Sequence, residues 1–574
     1  MFLGRSSLAN GARRARVLGA MLMAAFLMVP GVVLSLPWPV VNGIPVCTAN
    51  NEQITPAIVS DGSGGSIIAW QDYRSGNYNI YAQRVNSSGG VVWTANGVAI
   101  CTADSNQQQP QIVSDGSGGA IIAWQDYRNG VTSDIYAQRV NSSGAVQWSA
   151  NGVPISTAAF EQFNIAMISD GLGGAIFTWE DNRANVINCP DIYTQRVDAS
   201  GAILWTANGV SICNEASAQH NPRLVSDGSG GAFITWQDDR AGNYDIYTQR
   251  IASGGAVQWT TNGVATCTMG TDQLKPDICS DGAGGVIITW YDYRSTTDFD
   301  IYAQRQGPGG AIVWAVDGIV LDNNVGYDQI NPRMVSDGVG GAIVAWQDFR
   351  TGITSDIYAQ RVAAAGYVQW TATGVIICTA AGNQTNPQIV TDGNSGAFLT
   401  WNDYRDTANC DIYSQRIAAD ATINWPATGY PICAADSNQI NPAMASDGNF
   451  GAIVAWQDYR NGNWDIYAQG FNTSGIGVEI GPSHNNGSTL YLGPASPNPS
   501  ASAVGISYAL PKSGEVELAV YDIVGQKVAT LAKGTKSAGR HEVSWNGAYV
   551  GAGVYFYRLS FEGTTRTNRM VLVR

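Results

Sequence analysis

The chain has 574 residues, 45% of them hydrophobic, with 67 glycines and a formal net charge of −14 at pH 7. That length permits several domains, and so much glycine with so little helical periodicity points to turn-rich, all-β structure. The acidic balance excludes nucleic acid as a partner, since phosphate binding rests on lysine and arginine.

In chain order, residues 1–35 read as a signal peptide: Arg5, Arg13, Arg14 and Arg16 precede the apolar stretch Val17 to Leu34, and small Ser35 offers a cleavage position. An uncleaved anchor is the competing reading, and Gly19, Pro30 and Gly31 interrupt the stretch against it. Next comes Trp38 to Cys47, which has the pattern of a closing strand but no unit before it. From Ser60 a motif ending at Arg84 then recurs, its central tryptophan at Trp70, Trp124, Trp179, Trp236, Trp290, Trp346, Trp401 and Trp456, 54 to 57 residues apart. A period of this length marks a repeat architecture.

Each unit reads as four strands. In the second, a first strand around Gln111 to Val113 meets the turn Asp115 to Gly119, whose glycines supply positive φ. Ala120 to Trp124 is almost continuously apolar, which suits a strand covered on both faces. Asp134 to Val140 is the third strand, and the fourth runs from Trp148 to Ser156. Four short strands per repeat make a propeller blade. The last copy decays after Tyr467 without a fourth strand, and Trp38 to Cys47 supplies one. The pattern therefore predicts an eight-bladed β-propeller over residues 36–475, closed by an N-terminal strand that leaves no long edge exposed.

Several polar residues recur with the repeat. An aspartate stands two residues after the central tryptophan and an arginine four after it, as in Asp72/Arg74, Asp126/Arg128 and Asp458/Arg460. Most copies add an aspartate before the Ile-Tyr pair, among them Asp134, Asp191, Asp245, Asp300, Asp356, Asp411 and Asp465. Paired acids are what glycosidases use, but a set repeated in every unit reads as an ion-paired loop, because a buried charge needs a partner wherever it occurs. The cysteines at Cys47, Cys101, Cys213, Cys267, Cys378 and Cys433 hold one equivalent position in different blades, which argues against disulfides. No CxxC pair supports a metal site. The propeller's one histidine, His220, reads as a solvated loop residue.

Two groups are candidate binding residues. Gln53, Gln107, Gln219 and Gln439, with counterparts in the other copies, precede the first strand that lines a propeller's channel; capping of backbone groups is their competing reading. Tyr78, Tyr244, Phe299 and Trp464 lie in loops between second and third strands, where the copies diverge, as does the longer loop Ala184 to Pro190. Variation on a rigid scaffold is where a binding site is built, although such aromatics also pack on their neighbours. The turn and strand Asp198 to Trp205 resemble the tryptophan-docking segment of eight-bladed quinoprotein dehydrogenases. Without a vicinal cysteine pair that resemblance implies only how blades lock, and no cofactor is expected.

After Asn472 the period ends. Residues 476–489 read as a linker, and residues 490–574 as a small immunoglobulin-like (Ig-like) β-sandwich with strands at Ile506 to Leu510, Val516 to Tyr521, Val528 to Leu531, Glu542 to Trp545 and Gly553 to Leu559. Pro497, Asn498 and Pro499, then Tyr521, Asp522, Gly525, Gly539, Trp545, Gly553, Tyr555 and the terminal Arg574 stand in an order that resembles the C-terminal sorting domain of type IX secretion cargo, related to the Ig-like domain of flagellar hook-capping proteins. The resemblance implies a protein of a Gram-negative-type bacterium that engages the outer-membrane secretion machinery through this domain and ends up secreted or on the cell surface. A plain spacer is the competing reading.

No catalytic signature stands out. The expectation is a non-catalytic, secreted or cell-surface propeller presenting a binding face for glycan or protein. The alternatives are an extracellular polysaccharide-active hydrolase or lyase and a structural surface-layer component.

Overall fold

The computed structural model describes residues 38, 42–184, 186, 189–322, 324, 326–473, 475, 490–496, 503–537, 539–547 and 550–573. The segments read as signal peptide and linker, residues 1–35 and 476–489, lie outside them. Every secondary-structure element of the described residues is a β-strand.

Between Ile44 and Asn472 the strands form eight four-stranded antiparallel sheets, one per repeat. The second sheet runs Gln107–Ser114, Ala120–Asp126, Asp134–Val140 and Val153–Ser156, in that order across the sheet. Every residue of Ala120–Asp126 is buried, as its continuous apolar run predicts. The turn before it is closed by Asp115, whose Oδ1 accepts the amides of Ser117 and Gly119 at 2.8 Å each.

The fourth strand is shorter than the sequence pattern suggested. Val153–Ser156 is paired, whereas Trp148 lies in a turn joined to the third strand by the single bridge Val140↔Val146. The tryptophan leaves its own sheet because its indole is used between sheets: Nε1 donates to the Ala199 carbonyl in the turn of the next sheet, at 3.1 Å. Trp93, Trp205, Trp259, Trp314, Trp370 and Trp425 each reach the following turn in the same way, at 2.9–3.3 Å.

The eighth sheet takes its fourth strand from the N-terminal part of the chain. Ile44–Cys47 pairs antiparallel with Asp465–Asn472, with Ile44 opposite Ala468 and Pro45 opposite Tyr467. Trp38, 2% exposed, then donates its Nε1 to the Ser87 carbonyl of the first sheet at 3.2 Å, the contact every other sheet makes with its successor. Gly470 stands where the other third strands carry arginine; a Cβ there would sit 2.7 Å from the Trp38 indole nitrogen. The two sheets share one apolar cluster, which includes Trp38, Trp70, Val85, Ile453 and Ile466.

The C-terminal residues form a three-stranded sheet of Tyr491–Ser496, Ala503–Leu510 and Gly539–Asn546 and a four-stranded sheet of Lys527–Lys536, Gly514–Tyr521, Gly553–Phe561 and Thr564–Leu572. Both contribute to one core containing Val504, Ile506, Leu518, Val520, Tyr557 and Met570. Tyr491–Ser496 and Thr564–Leu572 are strands that the sequence pattern did not mark. Trp545 packs edge-on to Tyr555 at 5.5 Å, and Asp522 closes a turn by accepting the amides of Val524 and Gln526. Pro497, Asn498, Pro499 and Arg574 lie outside the described residues.

Trp38→Ala removes a fully packed indole and one inter-sheet hydrogen bond, so it should lower stability by about 3–5 kcal/mol. Deletion of residues 36–47 should leave an exposed strand edge and cause aggregation. Chemical denaturation and light scattering check both, and unchanged values would show that this strand is dispensable.

Candidate functional site

The polar residues fall into a repeated network and a small number of departures from it. In each sheet the central tryptophan donates Nε1 to the aspartate two residues on, at 2.7–2.9 Å. The arginine two residues further binds that same carboxylate at 2.5–2.6 Å and lies 3.6–4.0 Å from the centre of the tyrosine ring opposite. In six sheets Nη2 also reaches a cysteine Sγ of the preceding sheet at 3.1–3.6 Å. All nine cysteines are free thiols, and burial pushes these six upward from their ordinary pKa. A second repeated pair joins the turn aspartate to a third-strand arginine, as in Asp61–Arg84 at 2.7 Å and Asp115–Arg139 at 2.9 Å.

The third repeated aspartate stands apart from the arginine, contrary to the single ion-paired loop expected from sequence. Asp134 lies directly across the strand pair from Asp126 and takes its hydrogen bond from Asn129 at 3.1 Å. Burial, with the neighbouring carboxylates adding to it, raises Asp134, Asp191, Asp245 and Asp356 to about 6 and Asp300 to about 7.

Gln53, Gln107, Gln219 and Gln439 are fully buried. Their Nε2 atoms donate to backbone carbonyls just upstream, for example Gln53 to Asn51 at 3.1 Å and Gln439 to Ser437 at 3.0 Å. Their own amides bind the loops between second and third strands: Gln53 N donates to Trp464 O and Gln107 N to Tyr78 O, both at 2.7 Å, whereas Gln219 N donates to Pro190 O at 2.9 Å and Gln439 N to Cys410 O at 2.6 Å. The glutamines therefore meet the loops through backbone and offer no exposed side-chain atom. Tyr78, Tyr244, Phe299 and Trp464 are each half-buried on a different sheet. Tyr78 packs on Tyr73 at 4.9 Å, Phe299 on Tyr291 and Tyr293 at 4.9 Å each, Trp464 on Tyr459 at 5.0 Å, and Tyr244 lies 6.0 Å from His220.

His220 is on the first strand of the fourth sheet, Gln219–Ser226, and its Nδ1 is 2.7 Å from Glu180 Oε2. This corrects the reading of a solvated loop histidine: Glu180 replaces the glutamine that usually follows the central tryptophan, and a buried carboxylate recruits partners. Its Oε1 also accepts the Asn221 amide at 2.8 Å and Asn164 Nδ2 at 2.5 Å. Asp322 is a further departure, standing where most sheets have cysteine. It pairs with Arg350, which already holds Asp348, and burial beside that second carboxylate pushes Asp322 upward. Among the described residues no cluster of His, Cys, Asp and Glu has the make-up of a metal site.

Residues 495–573 match the family described as "Secretion system C-terminal sorting domain". A type IX sorting domain of this kind indicates a secreted or cell-surface protein of a Bacteroidetes-type bacterium. No curated protein matches the chain. Among solved structures, the chain is similar to a protein of unknown function from Dyadobacter fermentans (10% identity, TM-score 0.36, covering 75% of this chain and 97% of that one). It is also similar to PorZ, a surface component of the type IX secretion system of Porphyromonas gingivalis (12%, 0.35, 92% and 71%), and to the polysaccharide lyase Uly1 (11%, 0.39, 74% and 100%). Likeness at this level says nothing of what this chain binds. The C-terminal module is thus identified as a type IX secretion sorting domain, carried behind an all-β array of repeated four-stranded sheets.

The raised carboxyls give a pH test. Asp300 is held near 7 by burial first and by Asp298 and Asp292 next, well above its unfolded value, so the native state binds the extra proton. Stability should therefore fall as pH rises from about 4 to about 7. Asp300→Asn, which copies Asn79 of the first sheet, should be more stable than the parent at pH 8 by at least about 1 kcal/mol and equal to it at pH 4. Thermal melts across that range check the crossing.

Proposed function

We propose that the protein is a non-catalytic, eight-bladed closed propeller that presents a binding face for a glycan or protein, delivered to the outside of the cell by an Ig-like C-terminal domain that engages the type IX machinery. Eight equivalent sheets, each passing an indole hydrogen bond to the next and the eighth passing one to the first, support the ring. The seven-stranded, two-sheet arrangement of the C-terminal residues supports the Ig-like reading.

One observation carries the binding reading over the hydrolase or lyase. Hydrolysis needs a carboxylate whose environment sets it apart from its counterparts and that can reach substrate. Three carboxylates occupy strand positions where no other sheet has one: Glu180, Asp277 and Asp322. Glu180 and Asp322 are buried and hydrogen-bonded, and Asp277 accepts the amides of Ile278 and Met334 at 3.1 and 2.9 Å. Half-exposed aromatics on the loops, in contrast, are suited to stacking on sugar rings or packing on a protein.

The experiment is a screen of glycans and surface proteins for both binding and turnover, repeated with Tyr244→Ala and Trp464→Ala. Binding without turnover, weakened about fivefold or more in an aromatic variant, is expected, since such contacts are worth about 1 kcal/mol each. Turnover abolished by one aspartate replacement in a folded protein would favour the enzyme instead.

A further inference from the structure

The first strands carry a second pattern, centred on the proline. In every sheet the residue before that position has positive φ, from 47° at Lys275 to 55° at Asn221, Asn386 and Asn441, and the strand pairing shifts there as a bulge. At the bulge this residue is displaced from the ladder, and the one after the proline is back in register, Arg223 opposite Thr235 and Arg333 opposite Ala345. In the first, second, seventh and eighth sheets these positions line a cavity of about 410 Å³, with Ala57, Gln111, Gln388 and Ala443 at the second of them. The third to sixth sheets have Ala166, Arg223, Asp277 and Arg333 at that same position, and the fifth adds Lys275, the only lysine of residues 36–475. The charged positions therefore fall in three consecutive first strands of one half, the fourth to the sixth, and the other half is neutral.

Arg223 and Arg333 differ from every other arginine of the repeats. The other fifteen are tied into the Asp–Arg pairs described above. Among the described residues, neither Arg223 nor Arg333 has a carboxylate within ion-pair distance, and the one hydrogen bond of the Arg223 guanidinium goes to the Pro222 carbonyl at 3.2 Å. Asp277, between them in the order of sheets, has its oxygens on backbone amides. Lys275 Nζ makes a neutral bond to Asn331 Oδ1 at 3.2 Å, and this lysine holds a left-handed conformation that disfavours it. Burial, and then the charge of Arg333, lower the Arg223 guanidinium to about 10, although the carboxylates of Asp277 and Glu180 oppose that shift. Asp277 is engaged by backbone amides and Glu180 by His220, so the guanidinium charge is only partly compensated within the protein.

We propose that this charged half, with the adjoining cavity, is an anion-binding site: Arg223 and Arg333 hold a carboxylate or sulfate group of an acidic oligosaccharide, and Lys275 adds charge. Planar guanidiniums suit bidentate recognition of such groups. A chain with a net charge of −14 repels polyanions at long range, so selectivity for them requires cations fixed at short range. The inference names a ligand class for the proposed binding protein and rests on that reading, but at residues separate from the aromatic loops.

The test uses the mature full-length protein and isothermal titration with three probes: oligogalacturonate, its fully methyl-esterified neutral form, and inorganic phosphate. Arg223→Gln and Arg333→Gln are made separately; glutamine is tolerated there because Gln111 and Gln388 occupy the equivalent positions, and Arg223→Lys keeps the charge. Oligogalacturonate should bind, more weakly as salt rises, while the neutral form should not. Affinity should fall at least about tenfold in each glutamine variant, the worth of one charged hydrogen bond, and less in the lysine variant. Phosphate binding lost in the same variants would support the anion site and assign it to small anions. No binding of either anion, or binding unchanged in both glutamine variants at unchanged melting temperature, would overturn the proposal. Survival of neutral-glycan or protein binding at the aromatic loops would then show that only this inference had failed.

Discussion

The structure depends on how a carboxylate is held where water cannot reach it. Asp72 is fully buried, and so are its seven counterparts. Each is kept there by an indole N–H from its own strand and by an arginine whose guanidinium is sandwiched against a tyrosine ring. An isolated buried charge would be costly, whereas one with charged and neutral donors on both oxygens is tolerated and fixes geometry. Because the same arginine touches the preceding sheet, the pair sets the distance between sheets as well as the end of a strand. The tryptophan of the fourth-strand turn does the equivalent at the opposite end of the sheet, with its indole on the next turn.

Those two contacts also explain why the repeats differ so little. A residue at the end of the fourth strand must be small and fit beside an arginine, which cysteine does in six sheets and Ser156 in one. Asp322 breaks the rule and is accommodated only because Arg350 can serve two carboxylates at once. Gly470 shows the reverse, an arginine position emptied so that Trp38 can enter from the other end of the chain. Change is freest where neither contact operates, in the loops after the second strand and around the proline of the first strand, and there the charges of one copy can differ from those of the next.

Much of this was legible in the sequence. The tryptophan period marks the number of sheets, and the displaced Trp38 to Cys47 segment marks the fourth strand that the last copy lacks. The order of glycines and aromatics after Asn498 marked the sorting domain. The paired roles of Asp72 and Arg74 were readable because a motif present in every copy serves packing. What the period concealed was the meaning of departures from it. His220 reads as a loop residue because Glu180 is forty residues away, and Arg223, Lys275 and Arg333 do not stand out because the period draws the eye to positions that every copy shares. The fourth strand was overextended because a tryptophan used between sheets has the same apolar signature as one used within a sheet. Comparing the residues on either side of Pro222, Pro276 and Pro332 across the copies was the signal available for the charged sector.

The proposed ring requires these sheets to be locked to one another in a cycle, so that none is terminal. Amide hydrogen exchange of the intact protein, followed strand by strand under native conditions, tests it most directly. A cycle predicts that Ser66–Asp72 of the first sheet and Gly451–Asp458 of the eighth exchange as slowly as Val286–Asp292 of the fifth, in one cooperative step. Faster exchange that begins in the first and eighth sheets and spreads inward would be the behaviour of an open stack of repeats, and would contradict it.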